Sequence, residues 1–119
     1  MTVLGIDHVQ VAAPAGCEPA ARAFYGELLG LDELTKPDAL AVRGGCWFQA
    51  GTQELHVGVE DPFTPARKAH PSFVVADLDA VAAKLTAAGH AVTYDDLIPG
   101  VKRFETADPF GNRLEFRQA

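Results

Sequence analysis

The sequence predicts an α+β fold in which a module of one strand, one helix and about three further strands occurs twice. That makes eight strands and two long helices. Two observations lead there. Gly5-Ile6-Asp7-His8-Val9-Gln10-Val11 opens the first half as an alternating strand, and Ala69-His70-Pro71-Ser72-Phe73-Val74-Val75 opens the second. Each half then closes on a strand carrying a strong metal donor, Gln53-Glu54-Leu55-His56-Val57-Gly58-Val59 in one and Arg113-Leu114-Glu115-Phe116 in the other. Laid over each other, His8 meets His70 at an offset of 62 residues, and His56 meets Glu115 at an offset of 59. The near-constant offset points to a duplicated module, 1–60 and 70–119, within one domain of 119 residues.

The elements follow in order from alternation, helical spacing and breakers. Residues 3–12 alternate as a strand, with Leu4, Ile6, His8, Gln10 and Ala12 on one face, until Pro14-Ala15-Gly16 stops it. Glu18 and Pro19 suit a first helical turn, and 20–29 reads as a helix with Phe24 and Leu28 one turn apart. Gly30 suits the position just past its end. A short strand at 31–35 and a turn at Lys36-Pro37-Asp38 follow, and after Gly44-Gly45 a hairpin of 46–50 and 53–60 turns at Gly51-Thr52. Residues 61–69 hold two prolines and no periodicity, and read as the linker. The second module then offers a strand at 70–75 and a helix capped by Asp77, with Leu78, Val81, Ala82 and Leu85 as its buried stripe. Strands are expected at 91–94, 103–106 and 113–117, the last two joined by a turn at 108–112.

Composition narrows the function. A formal net charge of −6 argues against nucleic acid, because a basic face supplies most of that affinity. No apolar run approaches the ~20 residues of a membrane helix. Met1-Thr2-Val3-Leu4-Gly5 has neither a basic region nor a signal-like apolar run, so the cytosol is the expected compartment. Cys17 and Cys46, the only cysteines, lack metal-knuckle spacing and are expected as plain thiols.

Strand parity then sorts the side chains. His8 shares a face with Gln10, His56 with Glu54, His70 with Ser72, and Glu115 with Arg113 and Arg117. The opposite faces carry Val9 and Val11, Leu55 and Val57, Phe73 and Val75, Leu114 and Phe116. Sheets curled around the polar faces would make a trough lined by imidazoles and carboxylates. Three or four such donors with positions left to water suit a catalytic metal site, and a set of two histidines and a carboxylate suits several divalent transition metals. Solvent alone also selects polar residues on one face of a half-exposed sheet. Only His90, after Gly89 at a helix end, falls outside the pattern and reads as a surface residue. Trp47 and Phe48 are opposed in parity, so only one can face the trough.

Four stretches carry a resemblance: Asp7-His8-Val9; Ala23-Phe24-Tyr25 with Leu29-Gly30-Leu31; His70-Pro71-Ser72-Phe73 with Asp77-Leu78-Asp79-Ala80; and Asp108-Pro109-Phe110-Gly111-Asn112-Arg113-Leu114-Glu115. Over essentially its whole length the chain resembles the vicinal oxygen chelate superfamily of glyoxalases, fosfomycin- and bleomycin-resistance proteins and extradiol dioxygenases. The resemblance implies paired βαβββ modules forming a U-shaped mixed sheet around a divalent metal ion such as zinc, nickel, iron or manganese. It implies His8, His70 and Glu115 as metal ligands, with His56, or Glu54 in its stead, as the fourth. The activity implied is that of a lyase, isomerase or transferase on a small molecule with vicinal oxygens. Glu54 or Glu115 would serve as base, and Arg103 and Trp47 would contact the substrate. The alternative is a metal-free protein that sequesters a drug-like ligand, and a homodimer is expected in either case. Lys102 and Arg103 are too few cations for the fosfomycin enzymes, and Phe104-Glu105-Thr106-Ala107 lacks the tyrosine expected of a dioxygenase.

Overall fold

Alternation turns Val11, Leu55, Val57 and Phe48 to one side of a sheet, and this side becomes the apolar floor of the first half. The sheet consists of β1 (His8–Ala13), β2 (Asp32–Leu34), β3 (Cys46–Ala50) and β4 (Gln53–Val59), in spatial order β1-β4-β3-β2. β1 runs parallel to β4, while β2–β3 and β3–β4 are antiparallel. The second half repeats the plan with β5 (Ser72–Val75), β6 (Thr93–Asp95), β7 (Arg103–Ala107) and β8 (Arg113–Gln118), in order β5-β8-β7-β6. There too only the β5–β8 pair is parallel. The computed structural model describes residues 2–119. They divide into two units, the first ending at Thr64 and the second beginning at Pro65, within the stretch read as a linker.

In the first unit a helix packs Ala21, Phe24 and Tyr25 into the core with Phe48, Leu55 and Val57. It starts as α1 (Glu18–Ala21), with Pro19 in its first turn where a missing N–H is harmless. It continues with π winding over Arg22–Leu28, and the Leu29 N–H reaches back five residues to the Phe24 carbonyl. Burial, with the Glu18 carboxylate beside it, pushes the Cys17 thiol up to about 12, and burial also raises Cys46. Both are free, protonated and buried, as expected of inert thiols.

In the second unit α3 (Leu78–Ala87) begins at Asp77, whose carboxylate accepts the Ala80 N–H at 3.1 Å. Leu78, Ala82 and Leu85 are buried, with Phe104, Leu114 and Phe116 completing the core, while Val81 is half-buried. Gln118 of β8 accepts the Leu78 N–H at 2.9 Å, which ties the last strand to the helix start.

Four expectations need adjusting. β1 starts only at His8, and residues 3–7 lie outside any strand. The stretch after Lys36-Pro37 forms a short helix, α2 (Asp38–Ala41), because Pro37 sets the backbone ahead of it and its carbonyl accepts two N–H groups. His70 precedes β5 rather than sitting within it, since Pro71 has no N–H for the ladder. His90 is half-buried, its N–H bonded to the Leu85 carbonyl.

Candidate functional site

The two parallel ladders set the same frame in each unit. Gln10 stands opposite His56 and Ser72 opposite Glu115, which reproduces the sequence offsets of 62 and 59. His56 and Glu115 thus hold equivalent places on the inner strands β4 and β8. Both are buried, at 5% and 3% exposure, which is unusual for such polar side chains.

Glu115 accepts three hydrogen bonds within its own unit and has a fourth polar neighbour there. Arg103 Nη1 donates to its Oε1 at 2.6 Å, Arg117 Nε to its Oε2 at 2.6 Å, and the Ser72 hydroxyl to Oε2 at 2.8 Å. His70 Nε2 stands 3.6 Å from Oε1. Burial alone would raise this carboxyl, but the bonds from Arg117 and Ser72 and the charges of Arg103 and Arg117 outweigh it and hold the pKa at about 2. Arg103 is itself anchored, its Nε donating to Asp95 at 3.0 Å. On the same face Arg113 bonds Glu105, so guanidinium and carboxylate groups alternate along β7 and β8 and pair diagonally between them.

His56 is held differently. Its ring lies between those of Trp47 and His8, with centroids 4.1 Å away on either side and interplanar angles of 6° and 14°. Its Nε2–H donates to Glu54 at 2.9 Å. Trp47 therefore takes the polar face and Phe48 the core, which resolves the pair that parity left open. Gln10 lies over Gly58, where any Cβ would meet its amide at 2.7 to 2.9 Å.

The donor chemistry bears on a divalent ion. His70 Nδ1–H donates to the Lys68 carbonyl at 2.7 Å, and a carbonyl can only accept, so in the neutral ring it is Nε2, beside Glu115, that carries the lone pair. Asp7 sets His8 the same way: its carboxylate accepts the Nδ1–H at 2.9 Å, which in the neutral ring leaves the lone pair on Nε2. A neutral His70 and the ionised Glu115 are two donors of a suitable kind, but both Glu115 oxygens already accept bonds from Arg103, Arg117 and Ser72. His8 and His56 lie in nearly parallel planes, so their in-plane lone pairs do not converge on one ion in this arrangement. Among the described residues no three His, Cys, Asp or Glu side chains cluster closely enough to hold one.

The structure thus brings His70, Glu115 and Arg103 together in one unit, and His8, His56, Glu54 and Trp47 in the other. Sequence parity had placed Ser72 and Arg117 on the right faces without marking them as partners of Glu115. Asp7 and Asp95 carried no signal beyond being acidic neighbours of the elements they serve. No described helix is long and apolar enough to cross a membrane.

Two four-stranded mixed sheets, each with a helix, are the α+β arrangement of paired βαβββ modules. The chain belongs to the Glyoxalase/Bleomycin resistance protein/Dioxygenase superfamily, whose family model matches residues 5–116. It is similar to a crystal structure of a glyoxalase family protein from Bacillus anthracis, with 53% identity over 99% of this chain and 97% of that one, at a TM-score of 0.95. The fold is shared with lactoylglutathione lyase from Agrobacterium tumefaciens (21% identity, 100% and 96% covered, TM-score 0.76). It is shared as well with TnmS3, an antibiotic binding protein from Streptomyces sp. CB03234 (24% identity, 99% and 98% covered, TM-score 0.75). No curated protein matches the chain.

Proposed function

We propose that the chain is a divalent-metal-dependent enzyme of this superfamily, a lyase, isomerase or transferase acting on a small molecule with two adjacent oxygens. One observation supports the reading: His70 Nε2 stands 3.6 Å from Oε1 of the ionised Glu115. His70 and Glu115 are the proposed ligands of the second unit, and His8 with Glu54 the candidate donors of the first, where the ring of His56 lies parallel to that of His8. Zinc, nickel, iron or manganese, when bound, would act as a Lewis acid towards negative charge on the substrate oxygens. The residues do the rest. Ser72 and Arg117 orient Glu115 and keep it deprotonated. Glu54, one-third exposed beside His56, is the proposed base that takes a proton on a carboxylate oxygen. Trp47 offers a flat wall and Arg103 a cation for the substrate. The chain would act as a homodimer, a reading supported by exposed Leu4 and Ile6 ahead of β1.

Metal analysis of tag-free protein tests this. The expected result is a stoichiometric divalent metal that His70→Ala loses, with a dimer by light scattering. Metal-free protein that also fails to take up added zinc, nickel, iron or manganese would overturn it.

A second reading has its own observation. The column of Trp47, His56 and His8 ends on a half-exposed imidazole, a surface on which a flat, drug-like molecule can stack. A metal-free sequestering protein would bind such a molecule unchanged. Quenching of Trp47, the single tryptophan, by a planar aromatic cation in chelator-treated protein would favour it.

A further inference from the structure

Around Glu115 the groups left over are hydrogen-bond donors. The ladders set Val74, Arg117, Arg103 and Asp95 in one row across β5, β8, β7 and β6, and Ser72, Glu115, Glu105 and Thr93 in the next row on that face. Arg117 and Arg103 therefore stand directly opposite each other, which is unfavourable for like charges unless an anion lies beside both. Glu115 fills that role from one side, and its oxygens are taken. Oε1 accepts Arg103 Nη1 at 2.6 Å, and Oε2 accepts Arg117 Nε at 2.6 Å and the Ser72 hydroxyl at 2.8 Å. Asp95 accepts Arg103 Nε at 3.0 Å. Among the described residues, Arg103 Nη2 and both Nη groups of Arg117 then have no protein acceptor. The Arg117 side chain is 37% exposed, so its donors reach solvent. Its neighbour in the row, Val74, offers an exposed apolar side chain on the same face.

Spare donors call for an acceptor, and charge narrows its kind. Arg103 and Arg117 are balanced by Glu115 and Asp95, so a ligand with one negative charge is tolerated better than one with two. A planar carboxylate brings one charge and fits the guanidinium fork. We propose that Arg117 and Arg103, with Val74 beside them, form a binding site for the carboxylate of a small aliphatic acid. The free Nη groups hold the carboxylate, and Val74 packs against the carbons next to it. Glu115 is then a positioning residue: it fixes both guanidinium groups by one arm each and leaves the other N–H groups for the ligand. This deepens the substrate contact assigned to Arg103 above, rests on that part of the reading alone, and requires no metal.

The test is binding by chelator-treated full-length protein at pH 7, read by calorimetry and by the arginine Nε–H signals in NMR. Isobutyrate, acetate and phosphate are the probes, with chloride holding the ionic strength constant. Isobutyrate is expected to bind with a Kd on the order of 1–10 mM, acetate several-fold more weakly, and phosphate, with its second charge, most weakly. Arg117→Gln should weaken isobutyrate about tenfold or more, and Arg117→Lys by less, because it keeps the charge without the fork. Val74→Ser should bring isobutyrate down towards acetate and leave acetate as it was. Lys84→Gln, on the exposed side of α3, controls for net charge and should change nothing. Wild type that binds no isobutyrate, Arg117→Gln that binds it like wild type, or an equal loss in Lys84→Gln each overturns the site. Phosphate bound more tightly than isobutyrate overturns the carboxylate assignment. Should Arg117→Gln fold poorly by circular dichroism, the Arg117→Lys and Val74→Ser affinities decide alone. With no metal in the cell, failure here leaves the metal reading to its own test, and success here stands even if that reading falls.

Discussion

In the first unit the buried polar group of the inner strand is an imidazole pressed between two flat rings; in the second it is a carboxylate gripped by cations. The backbones around them follow one ladder, so the difference comes from a few side chains. Cys46 lies opposite Val57 and Phe104 opposite Phe116. One step further along, the second unit carries Arg103 and Arg117, and the first carries Gly45 and Gly58. The arginines that hold Glu115 thus have glycines as their counterparts beside His56. Gly58 leaves room for Gln10 to lie flat, and Trp47 and His8 close over the imidazole. A duplicated scaffold has been given an ionic centre in one copy and a stacked one in the other.

The sharpest break in that comparison is Glu115→Ala. It leaves the mostly buried Arg103 with Asp95 alone and the part-exposed Arg117 without its carboxylate, and urea unfolding should show a loss of about 3 kcal/mol. The same carboxylate predicts an acid limb. Its folded pKa of about 2 lies below the ordinary 4.5, so its contribution is present above that ordinary value and is lost as pH falls towards the folded one. Wild-type stability should fall by about 3 kcal/mol between those limits. Glu115→Gln should flatten that part of the profile, and an unchanged slope would refute the assignment.

In the first unit the largest effect belongs to Gly45. It has φ of +84°, and a Cβ there would sit 2.1 Å from the Val57 carbonyl oxygen. Gly45→Ala should cost roughly 2–4 kcal/mol by the same urea measurement. Trp47→Leu removes one wall of the stack and should cost about 1 kcal/mol, with little effect on the acid limb. Smallest is Gly58→Ala, where only the flexible end of Gln10 must move. A loss below ~1 kcal/mol is expected there, and a larger one would mean that Gln10 is held more firmly than its contacts indicate.

Much of this was legible in the chain. Glycines and prolines bounded the strands, alternation separated Leu55 and Val57 from His56, and the repeat offset matched the ladders. Other features depended on spatial partners that parity cannot name. Parity put Arg117 on the face of Glu115, but the diagonal contact of Arg103 with Glu115 follows from a register fixed by the five-residue turn at 108–112. The imidazole tautomers of His8 and His70 depend on single acceptors, Asp7 and the Lys68 carbonyl, and the latter is backbone and invisible to side-chain reasoning. The π winding of Arg22–Leu28 likewise left no mark, because apolar spacing of four and of five both bring Phe24 inward.

The parallel pairing of each opening strand with its closing one has a consequence for how the protein is made. His8 finds Glu54 only 46 residues later, and Ser72 finds Glu115 only 43 later. While the chain is emerging from a ribosome, β1 and β5 must each wait, edges bare, until almost the whole of their module has been synthesised. Sequence-distant closure of this kind slows folding. Glu115 and the residues that hold it would then be assembled among the last events of biogenesis, after the first unit has had time to form.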